Sequence, residues 1–167
     1  IQIYCDFSAY SDIAIGSAKI LGINLMENFK MPYFSASISE FWSRWHISLS
    51  TWFKDYLYIP LGGNRVDKKW KVYRNLLIVF VVSGLWHGAN YTFIAWGLLH
   101  GGYLVVERLI TKSKTSPTKK FKIPLVIKQL ITIILVLVSW VFFRANSITD
   151  ALIIFKNILT LNITASN

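Results

Sequence analysis

The chain is short of charge, of acidic residues above all, and of cysteine. Only 16% of its 167 residues are charged and only 8 are acidic, against about 25% charged residues in ordinary soluble domains. A single cysteine, Cys5, excludes an intrachain disulfide and a CxxC metal site. Residues 75–106 hold no Asp, Glu, Lys or Arg at all. No heptad or Gly-X-Y period runs through the chain, which excludes a coiled coil and a collagen helix. What is abundant is apolar: 54% hydrophobic residues, 26 of them Phe, Trp or Tyr. That excludes a disordered chain and points to an integral membrane protein. The 167 residues suit one domain or a piece of a larger one. The chain opens at Ile1 in a structured-looking stretch, and we expect a fragment.

The formal net charge of +10 is concentrated in two places. Lys54 and Asp55 with the stretch Arg65–Arg74 hold six basic and two acidic residues; Glu107–Lys122 holds six basic and one acidic. Both flank apolar runs, which is the positive-inside pattern of cytoplasmic loops. No nucleic-acid partner is expected, because no basic face is interleaved with a soluble fold.

The 32 charge-free residues are long for one spanning helix, which needs about 20, and short for two. Ser83-Gly84-Leu85-Trp86-His87-Gly88-Ala89-Asn90 interrupts them, so the pattern predicts two helices, 73–87 and 91–110, meeting inside or near the far side of the bilayer. Both basic stretches then share one side. Residues 123–143 form the most conventional span. Ser147–Asp150 resembles a capping box opening an amphipathic surface helix over 148–160. Lys112–Lys122 reads as a linker. Residues 1–25 are apolar but carry Asp6, Asp12 and Lys19, and a helix buried in a bundle is expected. Ser37–Glu40 is a second capping box, opening a helix over 38–57 with Phe41, Trp45, Leu49, Trp52 and Tyr56 in one stripe. The fold class is all-α: a polytopic integral membrane helical bundle with short, broken and interfacial helices.

Three histidines stand out in so apolar a chain. His87 ends a charge-free run at the helix break; an imidazole there can act as general base on a hydroxyl, or pack against a free carbonyl. His46 lies among aromatics in Phe41-Trp42-Ser43-Arg44-Trp45-His46, either anchoring a helix or serving a site. His100 reads as a hydrogen-bonded helix contact. No HxxH, HxxxH or HExxH spacing exists, so no metal site is expected. Ser83 shares a helical face with His87 but no GxSxG elbow is present. Asp6 and Asp12 are either acid/base groups or, the favoured reading, hydrogen-bonded to Tyr or Ser hydroxyls within the bundle or paired with a buried Arg such as Arg44.

Three long motifs resemble the membrane-bound O-acyltransferase family, MBOAT. They are Phe41-Trp-Ser-Arg-Trp-His-Ile-Ser-Leu-Ser-Thr-Trp52, Asp55-Tyr-Leu-Tyr-Ile-Pro-Leu-Gly-Gly-Asn-Arg65 and Gly84-Leu-Trp-His-Gly-Ala-Asn90. The bacterial branch that O-acetylates alginate and related polysaccharides fits best, and Asp6–Asp12 also resembles it. Ala9 stands where that branch usually has Gly, and Ser43 where it has a second Arg. The resemblance covers roughly residues 1–150 and implies that 1–167 is the C-terminal part of one MBOAT membrane domain, without the N-terminal helices. It implies that His87 is catalytic and His46 the second active-site histidine, with Arg44, Asp55, Trp86 and Asn90 near the substrate. It implies no bound cofactor, but acetyl-CoA or another acyl thioester as donor substrate. It also implies an extracytoplasmic polysaccharide or cell-wall acceptor, a partner acetyltransferase outside the cytoplasm, and a multi-pass location among the lipids of the bacterial inner membrane. Peptidoglycan acetylation and D-alanyl transfer to teichoic acid are the alternatives, and Ile59–Arg65 favours the polysaccharide branch over the D-alanyl one. Outside enzymes, the alternative is a membrane scaffold or channel subunit.

Overall fold

The computed structural model describes residues 2–113 and 123–160. Seven α-helices make up the described residues: α1 Gln2–Ile20, α2 Ile38–Arg44, α3 Ile47–Phe53, α4 Lys69–His87, α5 Tyr91–Ser113, α6 Leu125–Arg144 and α7 Ile148–Thr160. A 3₁₀ turn at Pro32–Phe34 precedes α2, and a π-helical turn at Lys54–Tyr58 extends α3. Most of the linker expected over Lys112–Lys122 lies outside the described residues. Helices α5, over Tyr91–Thr111, and α6 are long and apolar enough to cross a membrane.

Helices α4 and α5 form the antiparallel hairpin anticipated from the glycine-rich break, although α4 begins at Lys69, four residues earlier than the helix expected over 73–87. The backbones approach closely because glycines line the contact. A Cβ on Gly84 would overlap the Phe93 carbonyl, and one on Gly97 would overlap the Phe80 carbonyl. Small residues are how helices pack without a hydrophobic driving force in lipid. The antiparallel arrangement brings the basic start of α4 and the end of α5 together at one end of the hairpin. Helix α6 runs antiparallel to α5, with Trp140 and Phe143 against Trp96.

The segment 38–57 is not one helix. It breaks at His46, whose backbone is left-handed at φ 44° and ψ 55°. The cause lies in the preceding loop. Phe29 bridges Trp45; Lys30 N–H donates to the Arg44 carbonyl and Ile47 N–H donates to the Asn28 carbonyl, both at 3.0 Å. The loop thus takes backbone groups that a continuous helix would have paired internally. The junction of α2 and α3, Trp45–His46, packs against Phe7 and Trp140.

Both capping boxes form. Ser37 Oγ accepts from Glu40 N–H, and Ser147 Oγ accepts from Asp150 N–H, each at 3.1 Å. Glu107, the one acidic residue of the second basic stretch, adds a cap from α5. Its carboxylate accepts from Ile38 N–H at 2.9 Å and Ser39 N–H at 3.2 Å. Glu107→Ala is expected to cost about 1–2 kcal/mol, the usual worth of a helix cap. The check is a lowered thermal midpoint in detergent, with Glu107→Gln recovering part of the loss.

Helix α1 differs from the expectation of a buried helix. Only Ser11 of it is buried, and Asp6, Asp12 and Lys19 are exposed. It touches the other described elements mainly through Tyr4 and Phe7 on Phe29, Trp45 and His46. Arg44 pairs with Glu40 at 2.6 Å, one helical turn away, rather than with Asp6 or Asp12.

Candidate active site

Side chains of α1, the α2–α3 junction, α4, α5 and α6 line a cavity of about 50 Å³. Its walls bring His46 and His87 together with Ser83, Trp42, Trp96 and Phe143. These two histidines lie 41 positions apart in sequence; the α2–α3 break and the α4–α5 break each deliver one of them. His46 adopts a left-handed backbone that a non-glycine residue occupies at a cost of about 1–3 kcal/mol. This strained position lies where both chain breaks meet and makes the cavity a candidate site.

His46 is held from behind. Ser48 donates both its N–H, at 3.1 Å, and its hydroxyl, at 2.6 Å, to the Asn28 carboxamide oxygen. With its proton committed to Asn28, the Ser48 oxygen faces His46 Nδ1 at 3.4 Å as an acceptor. That network assigns the imidazole proton to Nδ1 and leaves Nε2 as the lone-pair nitrogen. His46 stands outside the spanning helices, and burial, with the His87 ring beside it, pushes its pKa down to about 4. It is therefore neutral at neutral pH.

His87 is enclosed by rings: Trp86 and Phe143 at 5.0 Å and Trp96 at 5.3 Å between centroids, all nearly edge-on. No hydrogen bond ties either of its nitrogens among the described residues. It can accept a proton from a group entering the cavity or return one. Ser83 is buried one helical turn before it.

The other sequence-derived positions do not line this cavity. Arg44 is half-buried in its pair with Glu40. Trp86 is 60% exposed. Asp55 is exposed on the π turn. Asn90 closes the tip of the hairpin: its side chain accepts from Thr92 N–H at 3.1 Å and donates to the Asn146 carbonyl at 2.9 Å. The Ile59–Arg65 motif serves architecture. Asn64 accepts from Arg108 of α5 at 2.7 Å and from the Tyr58 hydroxyl at 2.8 Å, while Asn75 donates to the Leu61 carbonyl at 2.9 Å.

His100 is a satisfied helix contact, wholly buried, with Trp42 Nε1 donating to its Nδ1 at 3.2 Å and Ser139 Oγ 2.8 Å from its Nε2. Asn28 and Ser139 carried no signal in the sequence, and Ser48 only its place within the Phe41–Trp52 motif. They are ordinary polar residues in a loop, a short helix and an apolar span, and only their side-chain partners reveal them.

Comparison with known proteins shows the family. The family model for MBOAT, the membrane-bound O-acyltransferase family, matches residues 1–148. A probable alginate O-acetylase AlgI of Pseudomonas putida is 52% identical over 147 residues, 88% of this chain and 29% of the relative. A peptidoglycan O-acetyltransferase of Helicobacter pylori is 49% identical over 163 residues, 96% of this chain and 30% of the relative. A teichoic acid D-alanyltransferase of Bacillus subtilis is 34% identical over 129 residues, 71% of this chain and 33% of the relative. The chain thus spans about a third or less of the length of these curated relatives. An all-helical chain with two apolar helices of spanning length, two breaks that converge two histidines, and a family match over most of its length belongs to the membrane-bound O-acyltransferase family.

Proposed function

We propose that this chain is the C-terminal part of one membrane-bound O-acyltransferase domain and carries its catalytic histidines. The reaction is transfer of an acetyl group from a cytoplasmic acyl thioester, acetyl-CoA by the chemistry of the family, toward hydroxyls of an extracytoplasmic polysaccharide. The observation that carries it is the shared cavity of His46 and His87. The domain sits as a multi-pass protein in the bacterial inner membrane, its basic end toward the cytoplasm, and works with an acetyltransferase outside it.

His87 acts as general base. It takes the proton of the incoming hydroxyl as the oxygen attacks the thioester carbonyl. A C–O bond forms, the C–S bond breaks, and the thiolate leaves with the proton that the imidazolium returns. His46, with Nδ1 tied to Ser48, offers a lone pair rather than a donor. It suits orienting the acyl donor beside His87 better than neutralising an oxyanion. The polar loop 28–30 supports this geometry through Asn28.

A second reading is favoured by one observation: the peptidoglycan O-acetyltransferase of H. pylori matches 96% of this chain. The acceptor would then be peptidoglycan and the chemistry the same.

The test is acetyl transfer in membranes containing the full-length protein, with alginate-type and peptidoglycan acceptors compared. His46→Ala is expected to lower transfer at least tenfold at unchanged protein level. Ser48→Ala should produce a smaller fall in the same direction, with Ser48→Thr close to the parent. Full activity in His46→Ala would remove His46 from the site.

A further inference from the structure

Trp42 lies within the Phe41–Trp52 motif, which assigns it no role. It lies on α2 four residues before the break at His46, and its indole forms one wall of the cavity that His46 and His87 share. It packs edge-on against Phe80 at 5.0 Å and Trp96 at 5.8 Å. Its polar edge is tied as well. Nε1 donates to His100 Nδ1 at 3.2 Å. Because Nδ1 accepts, the ring proton is on Nε2, which donates to Ser139 Oγ at 2.8 Å. The Ser139 hydroxyl then donates to the Val136 carbonyl at 2.8 Å. His100 and Ser139 are 0% exposed. A buried polar chain with every member satisfied holds its parts in one arrangement, and this one joins α2, α5 and α6. By contrast, Trp96 Nε1 on the same cavity has no hydrogen-bond partner among the described residues.

The size of the cavity gives the lock a purpose. About 50 Å³ accommodates roughly three to five water-sized centres, at about 10–15 Å³ each. That matches the three heavy atoms of an acetyl group, and further methylenes would meet the indole of Trp42 or the rings beside it. We infer that Trp42, held by His100 and Ser139, sets the length of acyl group the site transfers, restricting it to acetyl. This rests on the reading that the His46–His87 cavity receives the acyl group. His100 and Ser139 are positioning residues, acting only through Trp42.

The experiment uses the full-length protein in membranes with acetyl-CoA and butyryl-CoA as donors, and reads the ratio of butyryl to acetyl transferred. The parent should strongly prefer acetyl. Trp42→Ala should raise the ratio at least tenfold, since each methylene accommodated or refused by an apolar pocket changes rates by about 10–200-fold. Trp42→Leu, which keeps an apolar side chain in the core, covers the case in which the alanine variant does not accumulate. His100→Ala should also raise the ratio, and His100→Asn, which retains one acceptor and one donor, should return it toward the parent. A general packing defect would lower both transfers together and leave the ratio unchanged; that result in Trp42→Ala and Trp42→Leu overturns the inference. His87→Ala in the parent background separates the two levels. Abolished acetyl transfer there with an unmoved ratio in the Trp42 variants sinks the length-setting role alone. Undiminished transfer there sinks the catalytic reading beneath it.

Discussion

Replacing His87 by alanine is expected to lower acetyl transfer by about 10²–10⁴-fold, the usual contribution of a positioned general base, while the protein still inserts and accumulates. The asymmetry follows from its surroundings. Its nitrogens make no hydrogen bond among the described residues, so the alanine leaves no buried donor or acceptor orphaned. The ring contacts to Trp86, Trp96 and Phe143 are lost, but the break in the chain is set by Gly88 and Asn90 and remains. His87→Gln, close in size but without a basic ring nitrogen, should be as inactive as the alanine. Acetyl transfer is measured in membranes and insertion by protease protection of tags at the basic end. Retention of more than a tenth of the parent activity in both variants would place the base elsewhere.

The second large effect is structural. Gly97→Ala is expected to prevent accumulation of a folded hairpin, because the added Cβ would overlap the Phe80 carbonyl of the facing helix. Backbone cannot swing aside as a side-chain tip can, so α4 and α5 must separate along their contact. Overpacking of this kind typically costs about 1–3 kcal/mol, and here the same motion parts His87 from Trp96. Gly84→Ala meets the Phe93 carbonyl and should behave alike. Gly102→Ala is the internal control, since nothing lies within 4 Å of its Cβ position. The readout is membrane-integrated yield and thermal midpoint in detergent for the three variants side by side. Similar values for Gly97→Ala and Gly102→Ala would mean that the close approach is not what holds the hairpin.

Much of the architecture was legible because the relevant signals are local. The charge-free stretch over 75–106 and the cluster around Gly88 were enough to place α4, the break and α5, since glycine and asparagine act on their own backbone. Both capping boxes depend on residues three apart, and both form. The motifs around His46 and His87 were recognisable as those of an acyltransferase family, and the match over residues 1–148 agrees.

The break at His46 was not legible. Phe41, Trp45, Leu49, Trp52 and Tyr56 repeat at helical spacing, so the sequence reads as one continuous helix. What interrupts it is a loop some 17 residues earlier, whose Asn28 and Lys30 take up the backbone groups on either side of the break. The buried helix expected over 1–25 failed for a related reason. An apolar segment can face protein or lipid, and composition alone does not say which.

By itself, then, the sequence determined the membrane class, the common end of its two basic stretches, the helix break at Gly88 and the identity of the two histidines worth suspecting. These follow from composition, charge placement and short-range backbone preferences, all written in neighbouring residues. Only the tertiary structure decided that His46 and His87 share a small cavity, that Asn28 and Ser48 assign the His46 proton to Nδ1, and that His100 serves Trp42 rather than the reaction. Each of these joins residues from 20 to 58 positions apart through a hydrogen bond or a common wall, and no local pattern in the chain encodes a partner at that distance.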